Sequence, residues 1–170
     1  MLAFLLADLV DRHRRLRQTE QDAAETDPLT GLANRRRLDG CLAVLQPGDT
    51  LVMLDLDHFK QLNDTHGHEV GDAVLADFGA VLQGALRNGD TAVRYGGEEF
   101  LLLLPATSLD GARLVTDRLR SAWSAARPDS TFPTGIALHQ GSDRPQHTLR
   151  RADQALYEAK RRGRNQTVTA

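Results

Sequence analysis

The sequence predicts an α/β domain of the α+β kind: one mixed β-sheet flanked by helices, preceded by a separate N-terminal helix. Three observations carry this. Helical and extended segments alternate from residue 27 onward without strict βαβ repetition. Leu51–Leu56 (LVMLDL) is apolar on both faces except at Asp55, the pattern of a central strand. Two extended runs meet at Gly96-Gly97 as a β-hairpin.

The elements follow in order. Residues 2–26 lack Gly and Pro, and Leu2, Leu9, Leu16 and Ala23 recur every seven residues. That is a weak heptad pattern, read either as a parallel two-stranded signalling helix or as an amphipathic helix packed on its own domain. Asp27–Arg37 (DPLTGLANRRR) breaks at Pro28 and Gly31, and Asn34 caps a helix over Arg35–Leu45. After the central strand, Asp57 is placed to cap a short helix over His58–Asn63, and His66-Gly67-His68 forms a loop. Val70–Arg87 reads as a long helix stopped by Asn88-Gly89. Thr91–Tyr95 and Glu98–Leu104 make the hairpin, its turn relying on positive φ at the glycines. Ser108 or Asp110 caps a helix to Ala126, and Phe132–His139 is an edge or bulged strand opened by Pro133. Thr148–Arg162 is a helix stopped by Gly163, and Asn165–Thr169 adds a last short strand. The expected organisation is a helix over 1–26 and one folded domain over 27–170.

Bulk properties narrow the function. Net charge is −2 with a pI near 6.3, which disfavours a general nucleic-acid binder. The single cysteine, Cys41, rules out an intrachain disulfide and a cysteine-rich zinc site, and fits a reducing, cytoplasmic setting. Residues 1–10 (MLAFLLADLV) are too short to span a bilayer, and the basic residues follow the apolar run instead of preceding it. They read as a helix and not as an export signal. Attachment to an upstream sensory domain, or to a membrane through a longer parent, stays open.

The chemistry centres on carboxylates. Asp55 lies near the end of the central strand, and Glu98 and Glu99 lie just past the hairpin turn. If those strands are neighbours, three carboxylates converge. Two like charges at ~4 Å repel by about 4 kcal/mol at an effective dielectric of ~20. Their pKa values rise, or a cation compensates them. Hard oxygen ligands favour Mg²⁺ or Mn²⁺, and Mg²⁺ takes its remaining ligands from water and phosphate, which implies a nucleoside triphosphate. Taken alone, the hairpin reads more readily as an ordinary Gly-Gly turn with solvated glutamates than as a metal site. Adjacent strand residues point to opposite faces, so either the turn position relaxes that rule for Glu98 and Glu99, or the two divide the work, one on the metal and the other toward a reacting hydroxyl.

Four stretches occur in one order: DPLTGLANRR (27–36), LDLDHFKQLNDTHGHEVGD (54–72), RYGGEEF (94–100) and RADQALYEAKRRGRN (151–165). Together they strongly resemble the GGDEF-domain diguanylate cyclases in the GGEEF variant, over residues 27–169. The resemblance implies a sheet related to polymerase palms and nucleotidyl cyclases. It implies condensation of two GTP into cyclic di-GMP and two pyrophosphates by a homodimer joined through the N-terminal helix. Residue by residue, it implies Asp55, Glu98 and the Leu56 carbonyl as Mg²⁺ ligands, and Glu99 as catalytic base or second metal ligand. Asn63 and Asp72 match the guanine readers. Lys60, Lys160 and Arg164 match the phosphate-holding positions, with the Phe59 and Lys60 amides adding a helix N-terminus. Arg87-Asn88-Gly89-Asp90 matches the RxxD inhibitory site, completed by Arg118, where product binds. The alternative is a catalytically silent module that binds GTP or cyclic di-GMP. Against it, Gly96–Phe100 and Asp55 are intact. The chain departs from the family at Pro133, where many members carry Ser.

Overall fold

The computed structural model describes residues 24–170. The heptad helix expected over 2–26 lies outside the described residues except for its last three. In chain order the elements are α1 (Arg35–Ala43), β1 (Thr50–Asp55), α2 (Phe59–His66), α3 (His68–Ala85), β2 (Thr91–Arg94), β3 (Glu99–Leu104), α4 (Leu109–Ala126), β4 (Thr134–Leu138), α5 (Pro145–Arg161) and β5 (Thr167–Thr169). The five strands form one mixed sheet in the order β2-β3-β1-β4-β5. β1 is antiparallel to both β3 and β4, while β5 runs parallel to β4. The expected α+β fold is what the chain adopts.

Each face of the sheet buries a different core. Alternation along β1 and β3 sends Val52, Leu54, Phe100, Leu102 and Leu104 toward α3 and α4. Phe78 of α3 stands at the centre of that layer, edge-on to Phe100 and Trp123 with ring centroids 4.9 Å away in each case. Leu51, Met53, Leu101 and Leu103 face the other way, against α1 and α5. Because both faces are covered, all six residues of β1 are buried. This explains the strand's unbroken apolar run.

Local signals set most boundaries. Asn34 caps α1 by accepting from the Arg36 amide, and Ser108 caps α4 by accepting from the Gly111 amide. Gly163 takes φ 111° just after α5, a conformation suited to glycine at a helix end.

Several expectations are corrected. Asp57 does not cap α2: the N-cap is His58 in a left-handed conformation, and no side chain caps that end. The Asp57 carboxylate instead accepts from the Thr131 hydroxyl at 2.6 Å. His66 and His68 are helical, separated only by Gly67 at φ 87°, so α2 and α3 meet at one residue and not at a loop. α3 ends where Leu86 turns extended, before Asn88-Gly89. β4 is not an edge strand: Pro133 precedes it, and β1 and β5 flank it. Neither Gly96 nor Gly97 has positive φ. Gly96 is small for another reason: a Cβ there would stand 2.6 Å from Glu99 Oε2.

Candidate active site

The β1–β3 register places Asp55 directly opposite Glu99. Both continue the alternation of Met53 and Leu101, so their side chains leave the sheet on the α1/α5 face. Directly opposed Cβ atoms in an antiparallel ladder are about 5 Å apart. The ladder runs one step further, with the Leu56 amide donating to the Glu98 carbonyl at 3.2 Å. Asp55, Leu56, Glu98 and Glu99 therefore share one end of the sheet, as the sequence leads one to expect.

α5 brings the cations. It lies so close to β4 that a Cβ on Gly135 would stand 2.1 Å from the Ala152 carbonyl oxygen and 2.2 Å from the Leu156 nitrogen. This contact directs the last turn of α5 over the end of β1. The Lys160 ammonium lies 2.9 Å from Asp55 Oδ2. Beyond Gly163, Arg164 sits at φ 63° with its Nε 3.5 Å from Asp57 Oδ1. The Asp57 side chain is only 3% exposed and so gives Arg164 a fixed anchor. A cleft of about 460 Å³ opens beside Glu99, walled by Tyr157, Glu158 and Lys160.

Negative charge exceeds the cations that meet it. Burial pushes the Asp55 carboxyl up despite its bond to Lys160. Burial, followed by the charges of Asp55 and Glu99, pushes Glu98 up as well. Such a cluster favours a further cation. Among the described residues no three His, Cys, Asp or Glu side chains are grouped closely enough to hold a metal ion by themselves. Two carboxylates and a carbonyl with open positions are instead the donor set that suits Mg²⁺ or Mn²⁺ carrying water or phosphate.

α2 and α3 hold the second group. Asn63 Oδ1 is buried with no hydrogen-bond partner, an arrangement that leaves a polar atom available to a ligand. Gly71 makes room for it, since a Cβ there would overlap Asn63 Oδ1 at 1.8 Å. Asp72 and Lys60 are exposed. The uncapped start of α2 leaves the Phe59 and Lys60 amides open to an anion.

Arg87, Asp90 and Arg118 gather elsewhere, at the far end of α3. Arg87 Nε lies 3.2 Å from Asp90 Oδ1, and Arg87 Nη2 donates to the Pro105 carbonyl at 2.7 Å. Arg118 Nη2 reaches the Ala85 carbonyl at 3.4 Å. An adjoining cleft of about 350 Å³ is lined by Arg37, Arg87 and Asp90 among others.

Two residues escaped the sequence reading although both stand in the quoted motifs. Arg94 donates from Nη1 to both Asp27 carboxylate oxygens at 3.1 Å, and from Nε and Nη2 to the Gly97 carbonyl at 3.2 and 2.9 Å. It ties the start of the domain to the turn that carries Glu98. Burial opposes ionisation of Asp27, but the bonds from Thr30 and Arg94 hold its carboxyl below the usual range. No local pattern reveals a pair 67 residues apart.

Comparison with known proteins gives a single answer. The family model "Diguanylate cyclase, GGDEF domain" matches residues 24–166. Diguanylate cyclase DgcP of Pseudomonas aeruginosa is 43% identical over 167 residues, covering 90% of this chain and 25% of DgcP. The chain thus spans a quarter of that relative. Its fold is similar to the coiled coil and GGDEF domain of DgcB from Caulobacter crescentus in complex with c-di-GMP. There the TM-score is 0.86 at 32% identity, covering 99% of each chain. It is also similar to the active GGEEF domain of a diguanylate cyclase from Vibrio cholerae, with TM-score 0.73 at 30% identity, covering 81% of this chain and 97% of that one. With the match spanning nearly every described residue, the chain belongs to the diguanylate cyclase GGDEF-domain family.

Proposed function

We propose that the chain condenses two GTP into cyclic di-GMP and two pyrophosphates, each protomer of a homodimer supplying one half-site. The observation that carries this is the Asp55·Glu99 register pair with Glu98 beside it and Lys160 over it. The intact GGEEF sequence supports an active cyclase over a silent module, as does the likeness to an active GGEEF domain.

The roles follow from the chemistry of each group. Asp55, Glu98 and the Leu56 carbonyl hold Mg²⁺ or Mn²⁺, which when bound neutralises charge on the nucleotide's phosphates. Lys60, Lys160, Arg164 and the Phe59 and Lys60 amides orient the phosphates. Asn63 and Asp72 take the guanine edge: an aspartate accepts the two adjacent N–H groups that guanine offers and adenine lacks. Glu99 lines the cleft and receives the proton of the attacking ribose 3′-hydroxyl. Phosphoryl-type transfer asks mainly for positioning and charge stabilisation, and this set supplies both. Residues 1–26 join two protomers and carry an upstream signal to them.

Incubation with GTP and Mg²⁺ followed by chromatography should yield cyclic di-GMP. Calorimetric GTP binding by folded protein without any product would establish the silent module instead.

Arg87, Asp90 and Arg118 form the inhibitory site, where an arginine fork suits phosphate and the Hoogsteen edge of guanine. Added cyclic di-GMP should inhibit at low micromolar levels. Arg87→Ala should remove that inhibition while uninhibited turnover stays within about threefold, since Arg87 touches none of the catalytic groups. Unchanged inhibition in the variant contradicts the assignment.

A further inference from the structure

Asp55 already has a cation. The Lys160 ammonium is 2.9 Å from its Oδ2, and the two side chains are 32% and 12% exposed, respectively. The neighbouring cation, Arg164, is not shared with it but paired with Asp57. Lys160 and a divalent ion cannot both sit on the Asp55 carboxylate without repelling each other at close range. Their repulsion across one carboxylate weakens the hold on each, so the arrival of the metal favours release of Lys160. An ammonium drawn off a buried carboxylate needs a new anion, and a polyphosphate entering with the metal brings one. Lysine suits such an exchange: it is a point charge on a flexible stem, not a rigid bidentate fork. The head is partly exposed, so it can swing while α5 stays packed on β4.

We propose that Lys160 is an exchangeable counter-ion that makes divalent-metal binding at Asp55 conditional on a polyphosphate ligand. The inference rests on the reading of Asp55 as a metal ligand. Without nucleotide, Lys160 covers the carboxylate and the metal is held weakly. With nucleotide, the phosphates take Lys160 and the metal takes Asp55. Metal and polyphosphate then raise each other's affinity by one common factor, because such coupling is reciprocal.

The test is Mn²⁺ uptake, read as loss of the free-ion electron paramagnetic resonance signal beyond the loss that the same concentration of analogue causes without protein. The full chain and its K160M variant are titrated with and without a non-hydrolysable GTP analogue. Lys160→Met keeps the stem and removes the charge, and K160Q serves if K160M fails to fold. K160M is expected to bind Mn²⁺ alone about tenfold tighter than the unaltered chain and to gain less from the analogue. R164M is the control, since it removes an equal charge that is near Asp55 but not on it. Its Mn²⁺ affinity should change by less than about threefold. Equal Mn²⁺ affinity in K160M and the unaltered chain overturns the proposal, as does an equal tightening of Mn²⁺ in K160M and R164M when no analogue is present. If Mn²⁺ binds neither protein even with the analogue, the metal-site reading itself fails and the inference falls with it.

Discussion

Glu99→Gln is expected to lower cyclic di-GMP formation by about 10³-fold or more, the scale of losing a positioned base together with its charge at a phosphoryl-transfer site. The substitution is nearly isosteric. Glu99 enters the fold's hydrogen bonding through its backbone, whose carbonyl accepts from the Tyr95 and Gly96 amides. Its side-chain carboxylate makes no hydrogen bond among the described residues. Losing it also relieves repulsion, because its charge is one of those pushing Glu98 up. The thermal midpoint should therefore stay level or rise while turnover collapses. Chromatography of products beside a calorimetric melt checks both halves. A variant with near-normal turnover removes Glu99 from the chemistry, and one that unfolds assigns it to the fold.

Gly135→Val is expected to abolish folding, and Gly135→Ala to cost about 3 kcal/mol or more, the upper range for forcing volume into a packed core. The Cβ would meet main-chain atoms of α5 at 2.1 and 2.2 Å, and main chain does not yield as a flexible side-chain tip does. Relief requires α5 to move off β4. Against a total stability of roughly 5–15 kcal/mol, such a loss leaves about 2–12 kcal/mol, so the alanine variant should fold with a clearly lowered midpoint. Movement of α5 also withdraws Lys160 from Asp55, so the folded fraction of Gly135→Ala should lose activity too. Denaturant midpoints and activity per folded molecule test this. A Gly135→Ala protein of unchanged midpoint would show that the α5–β4 approach is looser than described.

How much of this was legible in the sequence depended on range. β1 could be read because burial on both faces leaves a continuous apolar run with one carboxylate at its end. Asn34 and Ser108 could be read because a cap is a local bargain between neighbours. The convergence of Asp55 with Glu99 needed only the condition that β1 and β3 pair. Asp57 misled because an aspartate before a helix is locally a good cap, while its true partners, Thr131 and Arg164, come from distant segments. Gly96-Gly97 misled in a similar way. Two glycines at a turn point to positive φ, but here Gly96 leaves space for Glu99, and a Cβ on Gly97 would meet nothing within 4 Å. The Asp27–Arg94–Gly97 bridge had no local signal at all. The carboxylate cluster was thus readable from its own strands, whereas the residues that steady it were not.

Under the proposed function, each protomer's site is half of a catalytic centre. The most direct measurement is the rate of cyclic di-GMP formation from GTP and Mg²⁺ across a wide dilution series of the protein. The predicted result is product with two pyrophosphates per cyclic di-GMP, its rate rising as the square of protein concentration at the dilute end and linearly above. Absence of cyclic product from folded, GTP-binding protein at every concentration would contradict it.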